Sequence, residues 1–387
     1  MYRSGIATFT LDYGKCPPWL FRRMVKLGRE MTRVLIEEYG PDEFIKRIAD
    51  PVWFQSLGTV LAFDWNASGL TTILTAALKE AIRGREREWG IFIAGGKGKT
   101  SRKTPDEIVD WGEKLGLPKP KSQSLVYNSK MAAKVDSALI QDGFQIYHHS
   151  FFFSKNGVWT VVQQGMNTQN VTARRYHWHS ENIKDFVCEP HTGIVSDNKQ
   201  KVALNMVSKN SAQTRDVSAE LVNGGYRGLI KDIEILRKHS SKIHKTLALK
   251  VNSPYGDSDF VKLMKLKNIE FQHHPVEMED FSKSRYLEKI LKQVCDYKPE
   301  NYEKLVAIKG VGPKTVRALA LTSEIIYGAG PSYEDPARYS FAHGGKDATP
   351  YPIDKKTYDQ TITIMRNVIK RTKLPFLDKI KIMKNLS

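Results

Sequence analysis

Phe144-Gln145-Ile146-Tyr147-His148-His149-Ser150-Phe151-Phe152-Phe153, followed by Ser154-Lys155-Asn156-Gly157 and then Trp159-Thr160-Val161-Val162-Gln163-Gln164, is the stretch that decides the fold class. Two aromatic and β-branched runs flank an Asn-Gly pair, whose tolerance of positive φ closes a β-hairpin. Toward the N-terminus, 90–94 reads as a buried strand entering a glycine turn, and 6–11 alternates like another strand. Helices are expected between them. Leu20, Met24, Leu27, Met31 and Leu35 recur at helical spacing over 19–39. Pro41-Asp42-Glu43 starts a second helix, 67–83 forms a third, and 130–140 forms one more just before the hairpin.

Past about residue 205 the pattern changes. Segments near 218–238, 258–267, 281–296, 300–308, 313–327 and 355–371 read as helices, and only 246–251 and 269–273 hint at strand. The expected fold class is α+β. A mixed N-terminal α/β domain at 1–205 would carry the hairpin and any catalysis, and a mainly helical C-terminal domain would span 206–387.

The chain has 387 residues, 41% hydrophobic and 26% charged, enough for two or three cores. Lys plus Arg number 60 against 42 Asp plus Glu, a net charge of +18. That excess favours a polyanionic partner, and binding to phosphates would depend strongly on salt. Three scattered cysteines, Cys16, Cys188 and Cys295, suggest no disulfide framework and fit a reducing cytoplasm. There is no apolar signal core at the N-terminus and no apolar run of about 18 residues, so a soluble cytoplasmic protein without a membrane span is expected.

Within the helical half, 305–319 reads as helix, glycine turn and helix. Gly310 and Gly312 flank Val311, Pro313 suits a first helical turn, and Lys314 and Thr315 stand beside the free amides of that turn. This resembles the helix-hairpin-helix element of DNA repair and recombination proteins, here at 300–327, which holds the DNA backbone without reading bases. Gly310, Gly312, Lys314 and Thr315 are the expected phosphate contacts. A plain αα-hairpin is the alternative.

The basic loop with Lys97, Lys99, Arg102 and Lys103 follows the predicted strand and contains Gly98-Lys99-Thr100. A nucleotide-binding P-loop needs a glycine at position 93, which is Ile93. A flexible loop touching DNA phosphates, or a plain solvated loop, is expected instead. Arg174-Arg175-Tyr176 offers further contacts to phosphates or base faces.

Asp136, Asp142, His148, His149, Gln163 and Gln164 gather around the hairpin. His148 and His149 must point to opposite faces of a strand. Asp142 with His148 or His149, a glutamine and Asp64 could bind Mg²⁺ or Mn²⁺ and activate water for phosphodiester cleavage. The alternative is a turn and ordinary sheet histidines. His177, His179, Cys188 and His191 have zinc-ligand chemistry, but their spacing matches no standard zinc module.

Resemblance to endonuclease III-like glycosylases implies a second chemistry. Lys314, two positions after Gly312, occupies the place of the family's Schiff-base lysine, and Asp335 is the nearest aspartate for its carboxylate. Asp335 lies farther along the chain than the family's pattern requires, and there is no cysteine cluster for an iron–sulfur centre. The long polar loop after Asp335, with His343, Lys346 and Asp354, is a further candidate for function.

Phe63-Asp64-Trp65, the run 94–104, Gln141-Asp142-Gly143, 163–167, 174–178 and 335–340 together resemble the domain of unknown function 763 family of archaea and thermophilic bacteria. The resemblance covers nearly the whole chain. It implies a prokaryotic cytoplasmic protein and brings no established activity with it.

The expectation is a DNA-processing, repair-type enzyme with DNA, or RNA, as partner. It would be a metal-dependent nuclease with Asp142 and His148 as ligands and Asp64 and His149 beside them. The enzymatic alternative is a DNA glycosylase/AP lyase using Lys314 and Asp335. The non-enzymatic alternative is a DNA-binding or scaffolding protein.

Overall fold

The computed structural model describes residues 9–11, 15–61, 67–197, 199–240, 284–337 and 355–384. They fall into two compact units, and the architecture is α+β. One unit draws on Met1–Ser137, Asp142–Val202 and Asp335–Ser387; the other on Ala138–Gln141 and Ala203–Glu334. The expected division at 205/206 therefore needs correcting: the C-terminal segment from Asp335 onward joins the N-terminal unit.

The first unit is built on a five-stranded antiparallel sheet. Its strands are β1 (Ile91–Lys97), β3 (Gln145–Ser154), β4 (Trp159–Asn167), β5 (Thr172–His179) and β6 (His191–Val195), in spatial order β1-β3-β4-β5-β6. The Asn-Gly hairpin pairs Phe153 with Trp159 and His149 with Gln163, with an irregularity between Ile146 and His148. Of the strand expected over 6–11, residues 9–11 are described: Thr10 bridges Thr172, and Ala173 N donates to Phe9 O at 2.7 Å.

Helices α1 (Pro18–Ala49), α2 (Pro51–Leu61) and α3 (Ala67–Ala81) cover one face. Met31, Leu35, Phe54, Leu57, Leu74 and Leu78 pack there against Ile91, Ile93, Phe152 and Val162 from alternate strand positions. The two helices expected on either side of residue 40 form one run broken at Gly40, whose φ of 82° is left-handed. After the short α4 (Glu86–Trp89), helices α5 (Thr104–Lys114) and α6 (Lys119–Ala138) lie on the opposite face. There Trp111 packs against Phe92, and Ser129 reaches His149. Helices α12 (Lys355–Arg371) and α13 (Phe376–Lys384) close this unit, with Met365, Val368 and Ile369 joining the α1–α3 core.

Because helices cover both faces, strands β3 to β5 are buried on both sides, polar residues included. Apolar runs without strict alternation are what such strands require.

The second unit is mainly helical. A two-residue ladder joins β2 (Ile140–Gln141) to β7 (Leu204–Asn205). Helices α7 (Ala212–Asn223), α8 (Tyr226–Ser240), α9 (Arg285–Tyr297), α10 (Tyr302–Ala307) and α11 (Pro313–Ile325) follow. The single helix expected over 218–238 is two, because Gly225 has a φ of +99° between α7 and α8. The expected helix at 258–267 and the strand hints at 246–251 and 269–273 lie outside the described residues. No described helix is long and apolar enough to cross a membrane.

Candidate nucleic-acid interface

The glycine turn is built from both of its helices. Asn301 caps α10 by accepting from Lys304 N at 2.9 Å, and Ile308 then leaves the helix in an extended conformation. Val311 N donates to Ile308 O at 3.2 Å and closes the turn, while the Val311 side chain is buried. Gly310 has a φ of +97°, and a Cβ there would stand 2.4 Å from Ile290 Cδ1 of α9. Glycine is required twice over, by conformation and by space. Gly312 differs: it is extended at φ −149° and meets only Gly310 O at 4.0 Å.

Helix α11 starts at Pro313 with Gly312 as its N-cap and no side-chain cap. Pro313 has no N–H, so the amides of Lys314 and Thr315 are the first-turn donors without an intrahelical acceptor. Lys309 and Lys314 are exposed on either side of the turn. Thr315 is only 3% exposed, so of this expected phosphate contact the side chain is buried and the main-chain amide is what the turn can offer. Gln141 stiffens the helix start, donating to Pro313 O at 2.9 Å and accepting from Arg317 Nε at 2.7 Å.

The basic stretch of the first unit is an ordered turn. Gly95 N donates to Glu107 at 2.8 Å, and Lys79 Nζ bonds both Glu107 and Gly95 O, at 2.6 and 2.9 Å. A 3-10 turn, Gly98–Lys103, then leads into α5. Its regular geometry replaces the flexible loop, and no helix opens at Lys99 as a P-loop would require. Lys97, Lys99, Arg102 and Lys103 are all exposed, and Lys97 Nζ sits 5.9 Å from the centre of the Tyr147 ring.

Arg174 and Arg175 are fully buried and present nothing to a phosphate, which corrects their assignment as DNA contacts. Arg174 Nη1 donates to Asp142 Oδ2 at 2.7 Å, and both of its terminal nitrogens bond Asp335. Burial alone would weaken that guanidinium as a base; Asp142 and Asp335 more than reverse it and raise its pKa. Arg175, on the α1–α3 face, bonds Gln55 and Thr71 and lies over the Phe54 ring. Burial pulls its pKa down to about 9.

The proposed metal ligands are separated by the sheet. Asp142 accepts from Tyr176 OH at 2.8 Å and Phe144 N at 3.0 Å as well as from Arg174, on the α6 face. His148 is on the other face, its Nε2 3.2 Å from Thr75 Oγ1 and 3.1 Å from Ser150 Oγ. Burial, with help from His149 and Lys97, pushes its pKa down to about 3, so it is a neutral imidazole. His149 sits between Ser129 and Gln163, each at 2.8 Å. Among the described residues no group of three or more His, Cys, Asp or Glu side chains could hold a metal ion. Asp64, His343, Lys346 and Asp354 lie outside the described residues.

The zinc alternative is dispersed in the same way. His177 packs edge-on against Phe54 and His179 meets Thr160, whereas His191 joins Asp136 at 2.5 Å on the other face. Asp136 is the hub of that face, accepting also from Gln163 at 2.5 Å and Trp178 at 2.9 Å. As for the lyase reading, Lys314 is exposed, but Asp335 is buried. Its oxygens accept from Arg174, Ala337 N at 2.9 Å and Gln200 N at 2.6 Å, and none is left for chemistry.

Sequence reasoning placed a helix at 281–296, where α9 lies, but did not single out its outer side as part of the site. Leu287, Ile290, Leu291 and Val294 are buried, and that stripe was the available signal that Tyr286, Lys289 and Gln293 are left on the outer side. No curated protein and no solved structure matches the chain. The family described as "Protein of unknown function (DUF763)" matches residues 5–353, and the chain belongs to that family.

Proposed function

We propose that the chain is a DNA-binding protein that holds the phosphate backbone through the helix-hairpin-helix formed by α10, the glycine turn and α11. One observation carries this reading: the uncapped amides of Lys314 and Thr315 open beside a left-handed Gly310, between the exposed cations Lys309 and Lys314. Such a turn offers main-chain donors and positive charge to a phosphate oxygen together. The net charge of +18 supports a polyanionic partner, and the exposed Lys97–Lys103 cations are a second place for phosphates on the other unit. The nuclease and lyase readings lose their support because Asp142, His148 and Asp335 are committed to the core of the first unit. Binding of labelled DNA across a salt series tests the proposal. Affinity should fall steeply with salt for every sequence, and Lys309→Glu with Lys314→Glu should weaken binding of all sequences alike. Affinity unchanged in that double variant would overturn it.

A further inference from the structure

We infer that α9 makes the hairpin a site for unpaired nucleotides, with Tyr286 stacking on a base of a single DNA strand whose phosphates lie along the glycine turn. The inference rests on the backbone-binding reading above and specifies its substrate. Ile290 of α9 fills the space left by the missing side chain of Gly310. Tyr286, one helical turn earlier, places its hydroxyl 3.5 Å from the same point. Gln293, nearly one turn later, donates from Nε2 to Lys309 O at 3.4 Å. The row Tyr286, Ile290, Gln293 therefore runs along the turn, with the apolar residue beneath it and the two polar ones beside it.

Tyr286 is 64% exposed in this position. Tyr297 is 67% exposed and follows eleven residues later, three helical turns along the same side, about 16 Å away at the rise of an α-helix. Exposed Arg285, Lys289 and Lys292 accompany them on α9, and Lys309 and Lys314 on the turn. Aromatic rings interleaved with cations suit a single strand, whose bases are free to stack while its phosphates find positive charge. A duplex keeps its bases stacked inside and would meet only the cations. The hairpin alone would treat both forms alike, so Tyr286 is the residue that separates them.

The test measures binding of the full chain to a labelled oligothymidylate and to a mixed-sequence duplex of the same length, by fluorescence anisotropy. The unmodified protein should bind the single strand more tightly. Tyr286→Ala should lower single-strand affinity by about tenfold or more and leave duplex affinity unchanged, while Tyr286→Phe, which keeps the ring, should retain it. Equal loss on both substrates, no loss on either, or a duplex preference in the unmodified protein overturns the inference. Lys314→Glu separates the two readings. If it weakens both substrates while Tyr286→Ala leaves their ratio intact, only the stacking role fails. If it changes neither, the backbone reading fails.

Discussion

Arg174 donates from Nη1 and Nη2 to the two oxygens of Asp335, at 2.9 and 2.7 Å, so a pair 161 positions apart in sequence is joined by a fully buried bidentate bridge. Asp142 meets the same guanidinium at 2.7 Å. This bridge ties the segment that begins at Asp335 to the central sheet of the first unit.

Asp335→Ala should therefore act on stability. Removing one partner of a buried ion pair leaves charge and donors unmatched and costs about 3–5 kcal/mol. Urea unfolding of the first unit checks this. A variant as stable as the parent would show that the bridge is dispensable and would return Asp335 to the candidates for chemistry.

The buried histidines should make the first unit sensitive to acid. His148 has its pKa lowered from 6.5 to about 3 in the folded state, so below pH 6.5 the unfolded chain takes up a proton that the folded chain refuses. Its contribution to stability is fully present above pH 6.5 and is lost as pH falls toward 3. The slope is about 1.4 kcal/mol per pH unit for this residue. His149 and His177, also lowered by burial, add in the same direction. His148→Asn should flatten the stability profile between pH 6 and 4 by about that slope, measured by thermal or urea unfolding; an unchanged slope would contradict the buried neutral imidazole.

The two hairpin glycines should respond differently to alanine. Gly310→Ala meets both a left-handed φ of +97° and Ile290 Cδ1 at 2.4 Å, and should cost about 2–3 kcal/mol. Gly312→Ala adds a methyl in extended backbone with room around it and should fold with stability within about 0.5 kcal/mol of the parent. Similar losses in both, followed by calorimetry, would be inconsistent with the turn geometry.

For the cations, exposure decides. Reversing charge at Lys99 and Arg102 should reduce the salt dependence of DNA binding by about one unit of slope for each phosphate that is no longer neutralised. Thr315→Val, at a buried side chain, should leave affinity unchanged if the protein folds normally. Affinity that follows Thr315 and ignores Lys99, Arg102 and Lys314 would reverse the proposed orientation of the site.

Short-range signals in the sequence carried much of the fold. The Asn-Gly hairpin, the helix break at Gly40, the α12 boundaries at 355–371 and the turn around Gly310 follow from glycine conformations and apolar spacing within a few residues. The site was less legible. His148 and His149 fall on opposite faces as strand periodicity demands, but periodicity does not say that helices cover both faces. In a sheet covered on one side only, Arg174 and Arg175 could not both be buried, because consecutive strand residues alternate. Tyr286 was invisible for the opposite reason, since its value lies in a contact between α9 and a turn some twenty residues later.

From the residue order by itself came the α+β class, the two turns that glycine makes possible, the positive charge and the family. These depend on backbone dihedrals, spacing and composition, which are local or additive. Only the tertiary structure decided which polar side chains are structural and which face solvent: Asp142, Arg174 and Asp335 inside, Lys99, Tyr286 and Lys314 outside. That division depends on which elements cover each face of the sheet, and burial is a property of neighbours distant in the chain.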